Sequence, residues 1–256
     1  LVGSEMCIRD SIHRQLLDEA IQNAITNGRD GLGCVVVFAV GNYYKTNPYA
    51  TSITYPANSN NDIIAVGAIS PDGKRLHWDG NKWVWIVESA SKYGEELDMV
   101  APGFKNITTQ TGSAGGITYF SETSAAAPHV SAVAGLMLSV KPSLEQWMVA
   151  KFIGATAQKV GGYNYQITPG RPYGTWHEEV GYGLVNAHAA VLAAQNCNTY
   201  NLPPEDITSN LEVLDNCIVH IQNAVVKNQA KLTIEAELVT ITGNFMVEAD
   251  SELEIR

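Results

Sequence analysis

The sequence predicts an α/β fold, an open and mostly parallel sheet flanked by helices, followed by a small all-β repeat module. Short, wholly apolar and β-branched runs follow an amphipathic helical pattern, which is typical of strands buried on both faces of a parallel sheet. Helical patterns then return, and only short alternating strands follow residue 196. With 256 residues, 45% of them hydrophobic, the chain can bury one sizeable core and a smaller module.

The N-terminal segment carries two different signals. Residues 1–11 (LVGSEMCIRDS) resemble a translated sequencing adapter, so we predict an artefact there and exclude it from the fold. The protein's own sequence before Ile12 is then expected to be missing. In residues 12–27 apolar side chains recur at helical spacing and Gly28 supplies a stop, which predicts an amphipathic helix. Those side chains are Leu16, Leu17, Ala20, Ile21, Ala24 and Ile25.

Buried strands are predicted next, at residues 34–40, 63–69 and 97–100. An Asp79-Gly80 turn between aromatic residues predicts a β-hairpin over 76–86. Residues 124–140 are rich in alanine and apolar nearly all round, which predicts a central buried helix. Two more helices are predicted at residues 142–156 and 185–194.

Charge and hydropathy exclude some classes of function. The net charge is −10, with 26 Asp and Glu against 16 Lys and Arg, so we expect neither nucleic acid nor an anionic membrane surface as a partner. No apolar run approaches the roughly 20 residues of a membrane span, so no transmembrane segment is predicted. No signal segment opens the chain.

The C-terminal module is predicted to comprise residues 197–256. The motif Leu-x-Val or Leu-x-Ile recurs every 21 residues, beginning at Leu211, Leu232 and Leu253. This period predicts a small β-solenoid whose turns bury their apolar faces against each other, although a plain antiparallel sandwich would give the same alternation. Cys197 and Cys217 flank the boundary, and either a disulfide or two free thiols fits their spacing.

The strongest local signal is TSAAAPHV, residues 123–130. It places Ser124 at the mouth of a helix, with Pro128 in the first turn, where a missing N–H is tolerated. A helix N-terminus offers partial positive charge and unpaired N–H groups, which favour an oxyanion forming beside the serine. Taken alone, the same pattern also describes an ordinary N-cap serine.

Residues 122–137 (ETSAAAPHVSAVAGLM) resemble the nucleophile signature of the subtilisin-like serine proteases, or subtilases, the peptidase S8 family. Four further motifs resemble that family and follow its order along the chain: FAVGN at 38–42, YPA with IAVGA at 55–68, SKYG with VAPG at 91–103, and GYGLVNA at 181–187. The resemblance covers about Ile12 to Gln195. It implies that residues 12–196 are an N-terminally truncated peptidase domain with the subtilisin-like fold.

The resemblance implies peptide-bond hydrolysis through an acyl-enzyme, with Ser124 as nucleophile and the Asn42 amide as oxyanion donor. It also implies that Ala39, Val40 and Gly41 form a wall of the substrate pocket. Without the family match, Gly41-Asn42 would be interpreted as a turn.

The family's remaining catalytic residues, Asp and then His, precede the serine and should lie before Asn42. Four residues there are of the right type but lack the family's surroundings: Asp10, His13, Asp18 and Asp30. His129 lies five residues along the helix from Ser124, about 140° around the axis, so it faces away. We therefore expect the catalytic Asp and His upstream of this chain, and the chain alone to be inactive.

The resemblance implies protein or peptide substrates, a secreted or cell-surface location and chemistry that needs no cofactor. It is compatible with structural calcium but identifies no ligands, and it leaves the oligomeric state open.

One position departs from the family, because Glu122 stands where the family has glycine. Glu122 could narrow the cleft or mark lost activity, and a single-base change or read error would also produce it. The alternative function is a non-catalytic subtilase-like scaffold with an adhesive or glycan-binding β-module.

Overall fold

A computed structural model describes residues 2–44, 47, 51–75, 77, 78, 83, 84, 89–110 and 116–256. The chain divides into two compact units, unit 1 at residues 1–194 and unit 2 at residues 195–256. The elements of unit 1 are α1 (Val2–Asn27), a short 3-10 helix (Gly28–Gly31), β1 (Val37–Ala39), β2 (Asn42–Tyr44), β3 (Ile64–Ile69), β4 (His77–Trp78), β5 (Trp83–Val84), β6 (Ser89–Ser91), β7 (Met99–Pro102), β8 (Asn106–Gln110), β9 (Gly116–Phe120), α2 (Thr123–Val140), α3 (Gln146–Ala155) and α4 (Ala187–Gln195).

The centre of unit 1 is a parallel sheet with the strand order β1-β3-β7. Val37 pairs with Ile64, and Val66 pairs with Met99. Every residue of β3 is buried, as expected for a continuous apolar strand between two neighbours with helical cover. The predicted α/β architecture is confirmed, although β1 is shorter than the predicted 34–40 and β7 begins two residues later than predicted.

Helix α1 begins at Val2, well before the predicted start at Ile12. No proline interrupts residues 1–27, so the backbone imposes no stop before Ile12. The predicted apolar stripe buries Ile21 and Ile25, which pack against Ile63 beside the sheet. Helices α3 and α4 both begin a few residues later than predicted.

Helix α2 packs against β1, β3, β7 and α3. Its buried side includes Val130, Val133 and Met137, whereas Leu136 is 52% exposed and Val140 is 45% exposed. Helix α2 thus lies against the central sheet, as predicted, but the described residues bury only one of its faces although its sequence is apolar nearly all round. Among those residues, α2 is also the one helix long and apolar enough to cross a membrane, a test that core helices of globular proteins meet as well.

The described residues of unit 1 also form three antiparallel strand pairs: β2 with β6, β4 with β5, and β8 with β9. The pairing of β4 with β5 agrees with the predicted hairpin, whose Asp79-Gly80 turn lies outside the described residues. The β8–β9 pair ends at Phe120, shortly before α2 begins, so it lies next to the N-terminus of that helix in the chain.

Gln195, the first residue of unit 2, ends α4, and the described residues after it form strands and no helix. The strands of unit 2 are β10 (Thr199–Leu202), β11 (Asp206–Ile207), β12 (Leu211–Gln222), β13 (Val225–Val226), β14 (Lys231–Thr242), β15 (Met246–Val247) and β16 (Glu252–Ile255). They form two parallel sheets, with the orders β10-β12-β14-β16 and β11-β13-β15. Leu211 pairs with Leu232, which pairs with Leu253. Because all these pairings are parallel, an antiparallel sandwich is excluded.

The interior of unit 2 is apolar and closely packed. Val219, Ile221, Val226, Leu232 and Ile234 are each fully buried in one cluster. Cys197 and Cys217 form a disulfide, the first of the two alternatives that their spacing left open.

Candidate active site

Ser124 lies in the first turn of α2, where the apolar helix pattern begins. Glu122 is the N-cap residue, and its carbonyl oxygen accepts hydrogen bonds from the backbone N–H groups of Ala125 (3.1 Å) and Ala126 (3.2 Å). Thr123 is fully buried, whereas Ser124 is exposed. The fold therefore presents the Ser124 hydroxyl to solvent at the positive end of a helix.

Asn42 begins β2, three residues after the end of β1, and its side chain reaches the N-terminus of α2. The backbone N–H of Thr123 donates to Asn42 Oδ1 at 3.2 Å, and Thr123 Oγ1 donates to the same oxygen at 3.1 Å. Two predicted site residues that lie far apart in sequence, Asn42 and Ser124, are thus brought together by the residue that precedes the serine.

The amide nitrogen of Asn42 has a carboxylate partner. Asn42 Nδ2 donates to Glu122 Oε2 at 3.1 Å. The backbone of Glu122 has φ 74° and ψ −172°, a region that is almost confined to glycine. This dihedral explains physically why the family has glycine at this position, and the contact with Asn42 is one that the sequence did not predict.

The backbone of Glu122 is also held by the loop after β7. The Glu122 N–H donates to the carbonyl of Gly103 at 2.8 Å. A Cβ atom at Gly103 would lie 2.3 Å from Ala68 Cβ and 3.0 Å from the Glu122 carbonyl oxygen. The glycine of the VAPG motif is therefore required by close packing, and it fixes the start of α2 against β3.

The predicted pocket residues lie at the end of β1 and in the link to β2. Val40 is fully buried in a cluster with Ile53 and Leu97, and its carbonyl oxygen accepts from both the N–H (3.1 Å) and the hydroxyl (2.9 Å) of Thr54. Ala39 and Gly41 are half-buried. Ala39 and Gly41 are therefore partly accessible, whereas the Val40 side chain belongs to the core.

Gly41 sets the turn that directs Asn42 towards α2. Its φ is +91°, and a Cβ atom there would lie 2.3 Å from Thr54 Oγ1. A side chain at this position would displace the Thr54 hydroxyl from the Val40 carbonyl. Gly41-Asn42 thus forms a turn, and this turn positions the Asn42 amide. The interpretation as a turn and the interpretation as an oxyanion donor are therefore compatible.

No histidine among the residues with described side chains contacts Ser124. His129 Nδ1 lies 2.8 Å from the carbonyl oxygen of Ala125, so it is engaged within α2. Asp10 and His13 lie outside the residues whose side chains the structure describes, and Asp18 is exposed on α1. Among described residues, no group of three or more His, Cys, Asp and Glu side chains could hold a metal ion.

A half-buried polar cluster, which the sequence did not indicate, forms around Asp98, the residue before β7. Asp98 Oδ2 accepts from the N–H of Ala65 at 2.8 Å, and Asp98 Oδ1 pairs with Arg171 at 2.9 Å. Burial raises the pKa of Asp98 to about 6, although both partners favour its charged form. A cleft of about 660 Å³ lies beside Asp98 and is also lined by Glu96, Arg171 and Tyr173. Neither Ser124 nor Asn42 lines this cleft, so we assign Asp98 a structural role.

The family model of the subtilases matches residues 9–183. Subtilisin BL of Lederbergia lenta is 34% identical over 176 residues, which cover 68% of this chain and 50% of that protein. M-protease of Shouchella clausii is 35% identical over 176 residues, 68% of this chain and 36% of that protein. The extracellular basic protease of Dichelobacter nodosus is 32% identical over 167 residues, 63% of this chain and 24% of that protein. The chain thus spans half or less of the length of these relatives.

Proposed function

Because this chain belongs to the subtilase family of serine proteases, we propose that it is part of a serine endopeptidase with Ser124 as nucleophile and Asn42 as oxyanion donor. One observation carries the proposal: both donors of Thr123, its N–H and its hydroxyl, bind Asn42 Oδ1. This contact places the Asn42 amide beside the residue that leads directly into the serine.

The proposed chemistry is acyl transfer. Ser124 Oγ attacks the scissile carbonyl carbon, and negative charge develops on the carbonyl oxygen. The Ser124 N–H, the Asn42 Nδ2 group and the N-terminus of α2 favour that charge. A histidine takes the serine proton and later gives it to the leaving amine, while an aspartate orients the histidine. We propose that both residues lie upstream of this chain, so that residues 12–256 alone do not hydrolyse peptides.

The proposed substrates are proteins or peptides. Ala39 and Gly41 are half-buried and directly precede Asn42, so they are suited to line the cleft for the residue before the cut. The acyl-transfer steps need no cofactor. Structural calcium stays a prediction without assigned ligands.

We also propose that residues 197–256 form a separate module, a small β-solenoid, in a secreted or cell-surface protein. Parallel pairing at a step of 21 residues between Leu211, Leu232 and Leu253 supports the solenoid. The Cys197–Cys217 disulfide supports an oxidising compartment. One relative, that of Dichelobacter nodosus, is named an extracellular protease.

The second candidate is a non-catalytic scaffold whose useful surface is the β-module. One observation favours it: the Glu122 carboxylate binds the amide that the reaction needs, on a backbone conformation that favours glycine. No described feature of unit 2 identifies a ligand for such a module, so the peptidase is the better supported of the two.

Hydrolysis of casein by the full-length reading frame that contains this chain tests the proposal. The Ser124→Ala variant should lose about 10⁶-fold in kcat, the loss typical of removing a serine nucleophile. Ser131→Ala is the matched control, because Ser131 is exposed on the same helix and its hydroxyl donates to the Ala127 carbonyl within α2. Equal activity of Ser124→Ala and the unsubstituted protein would exclude the mechanism.

A further inference from the structure

Glu122 places a carboxylate on the proposed oxyanion donor. Its Oε2 atom accepts from Asn42 Nδ2 at 3.1 Å, and Glu122 is itself the N-cap residue of α2. A carboxylate at a helix N-terminus is favoured by the partial positive charge there. The resting site therefore already holds a negative charge in the region where the reaction would develop one.

The geometry leaves Asn42 in a suitable position but changes its electrostatics. Thr123 holds Asn42 Oδ1 through two hydrogen bonds, so the amide is oriented independently of Glu122. Nδ2 carries a second N–H group. An oxyanion that used this second donor would nevertheless form beside an existing carboxylate, and like charges in close proximity repel each other, more strongly away from bulk water.

We propose that the Glu122–Asn42 contact is an autoinhibitory one, in which the Glu122 carboxylate occupies the oxyanion donor and slows acyl transfer until the side chain turns away. The inference rests on the proposed function, because it concerns the same serine and asparagine. It makes Glu122 a residue that acts through Asn42.

The backbone at Glu122 is suited to a different residue. With φ 74° and ψ −172°, glycine would adopt the same conformation without a Cβ penalty. The hydrogen bonds from Glu122 N–H to Gly103 and from Ala125 to the Glu122 carbonyl involve backbone atoms only. Glu122→Gly therefore keeps the start of α2 while removing the carboxylate, and Glu122→Gln removes the charge while keeping an acceptor.

The first experiment uses the 256-residue chain and needs no catalysis. Two-dimensional NMR follows the Asn42 side-chain NH₂ signals, which are assigned by their disappearance in Asn42→Asp. Loss of a charged acceptor should move one amide proton to higher field in Glu122→Gly and, to a smaller extent, in Glu122→Gln. Lys105→Gly is the matched control, because Lys105 also has a positive φ of 49°, and its side chain lies over the rings of Phe104 and Tyr119. Unmoved Asn42 signals in both Glu122 variants would overturn the proposal.

The second experiment measures hydrolysis by the active-site-titrated full-length protein. Glu122→Gly should raise kcat at least about tenfold. This is a fraction of the factor of about 10² to 10³ that one oxyanion donor contributes to kcat. KM should stay within about twofold, because the oxyanion exists only in the transition state and the intermediates that follow it. Glu122→Gln should give an intermediate kcat. In the Asn42→Ala background, Glu122→Gly should change kcat less than about threefold, since the donor is gone.

The outcomes separate this inference from the proposed function. Unchanged kcat in Glu122→Gly, in a protein whose activity requires Ser124, overturns the inference and leaves the peptidase intact. A lower kcat would show that Glu122 supports Asn42 and would also overturn it. If no form hydrolyses casein, Glu122→Gly included, the serine peptidase proposal fails and the inference fails with it.

Discussion

The two units of this chain differ in the sequence separation of the residues that contact each other. In unit 1, the contacts at the proposed active site join residues about 80 positions apart, such as Asn42 and Thr123. In unit 2, the same kind of contact recurs at one short step: the N–H of Lys231 donates to Asn210 Oδ1, and that of Asn244 donates to Asn223 Oδ1, each across 21 residues.

This difference indicates which property a single substitution should change in each unit. A repeated contact has equivalents on the next turn of the chain, so unit 2 depends mainly on its shared apolar interior. The site in unit 1 is made once, from a few side chains with no equivalents. We therefore expect unit 2 to respond to substitutions through stability, and the site in unit 1 to respond through catalysis.

The largest expected effect on stability is in the interior of unit 2. Leu232 is fully buried, and Leu232→Ala should lower the free energy of unfolding of unit 2 by about 2–5 kcal/mol. All five tryptophans precede Gln195, so tryptophan fluorescence reports on unit 1 alone. Hydrogen exchange of peptides from 195–256 then measures unit 2.

Ile241→Ala is the matched control for Leu232→Ala, because Ile241 lies in the same strand but is 44% exposed. Its effect should stay below about 1 kcal/mol. Parallel losses in fluorescence and in exchange protection would show that the two units unfold together, and the contrast between them would not hold for stability.

In unit 1 the corresponding substitution is Asn42→Ala, which should slow the reaction. In the full-length protein we expect kcat to fall about 10²- to 10³-fold, or about 2.7–4 kcal/mol, a magnitude taken over from other serine proteases. KM should change little, because the donor acts on the developing oxyanion. A fall of less than about fivefold per titrated site would remove Asn42 from the mechanism.

The disulfide of unit 2 should contribute less than the best-packed side chains. It joins Cys197 to Cys217 across 20 residues, and closing a loop of this size stabilises a folded unit by about 3 kcal/mol in the chain-entropy view. The double variant Cys197→Ser, Cys217→Ser should thus lower exchange protection in 195–256 and leave the tryptophan transition unchanged. A shift of the tryptophan transition would contradict this expectation.

The sequence predicted the fold of unit 1 better than its site chemistry. The strand at β3 was predicted almost to the residue because an apolar, β-branched run between turn signals has few other structures open to it. The bounds of α1 and the half-exposed face of α2 were not predicted, because both depend on what the rest of the chain covers.

The candidate site shows the same limit. Two motifs marked Ser124 and Asn42 as candidates, and the departure from glycine marked Glu122 as unusual. The hydrogen bond between Glu122 and Asn42 required coordinates, because no periodicity relates residues 80 positions apart. Asp98 was missed for a similar reason: an acidic residue at the start of an apolar strand, shortly after Glu95 and Glu96, gives no signal of the Arg171 that pairs with it.

The last and smallest effect concerns the pH dependence of the stability of unit 1. Burial raises the pKa of Asp98 from 3.8 to about 6, so the folded state binds the proton more tightly than the unfolded state. The resulting stabilisation is complete below pH 3.8 and is lost as pH rises through about 6. Relative to Asp98→Asn, unit 1 should therefore lose about 1–3 kcal/mol of its free energy of unfolding between pH 4 and pH 7.

Trp176 reports on this region, since its Nε1 donates to the Leu97 carbonyl at 2.7 Å. Urea titrations followed by fluorescence give the difference between the two proteins at each pH. A difference that stays constant, or that changes sign because the Arg171 ion pair dominates, would show that the folded state does not favour protonated Asp98.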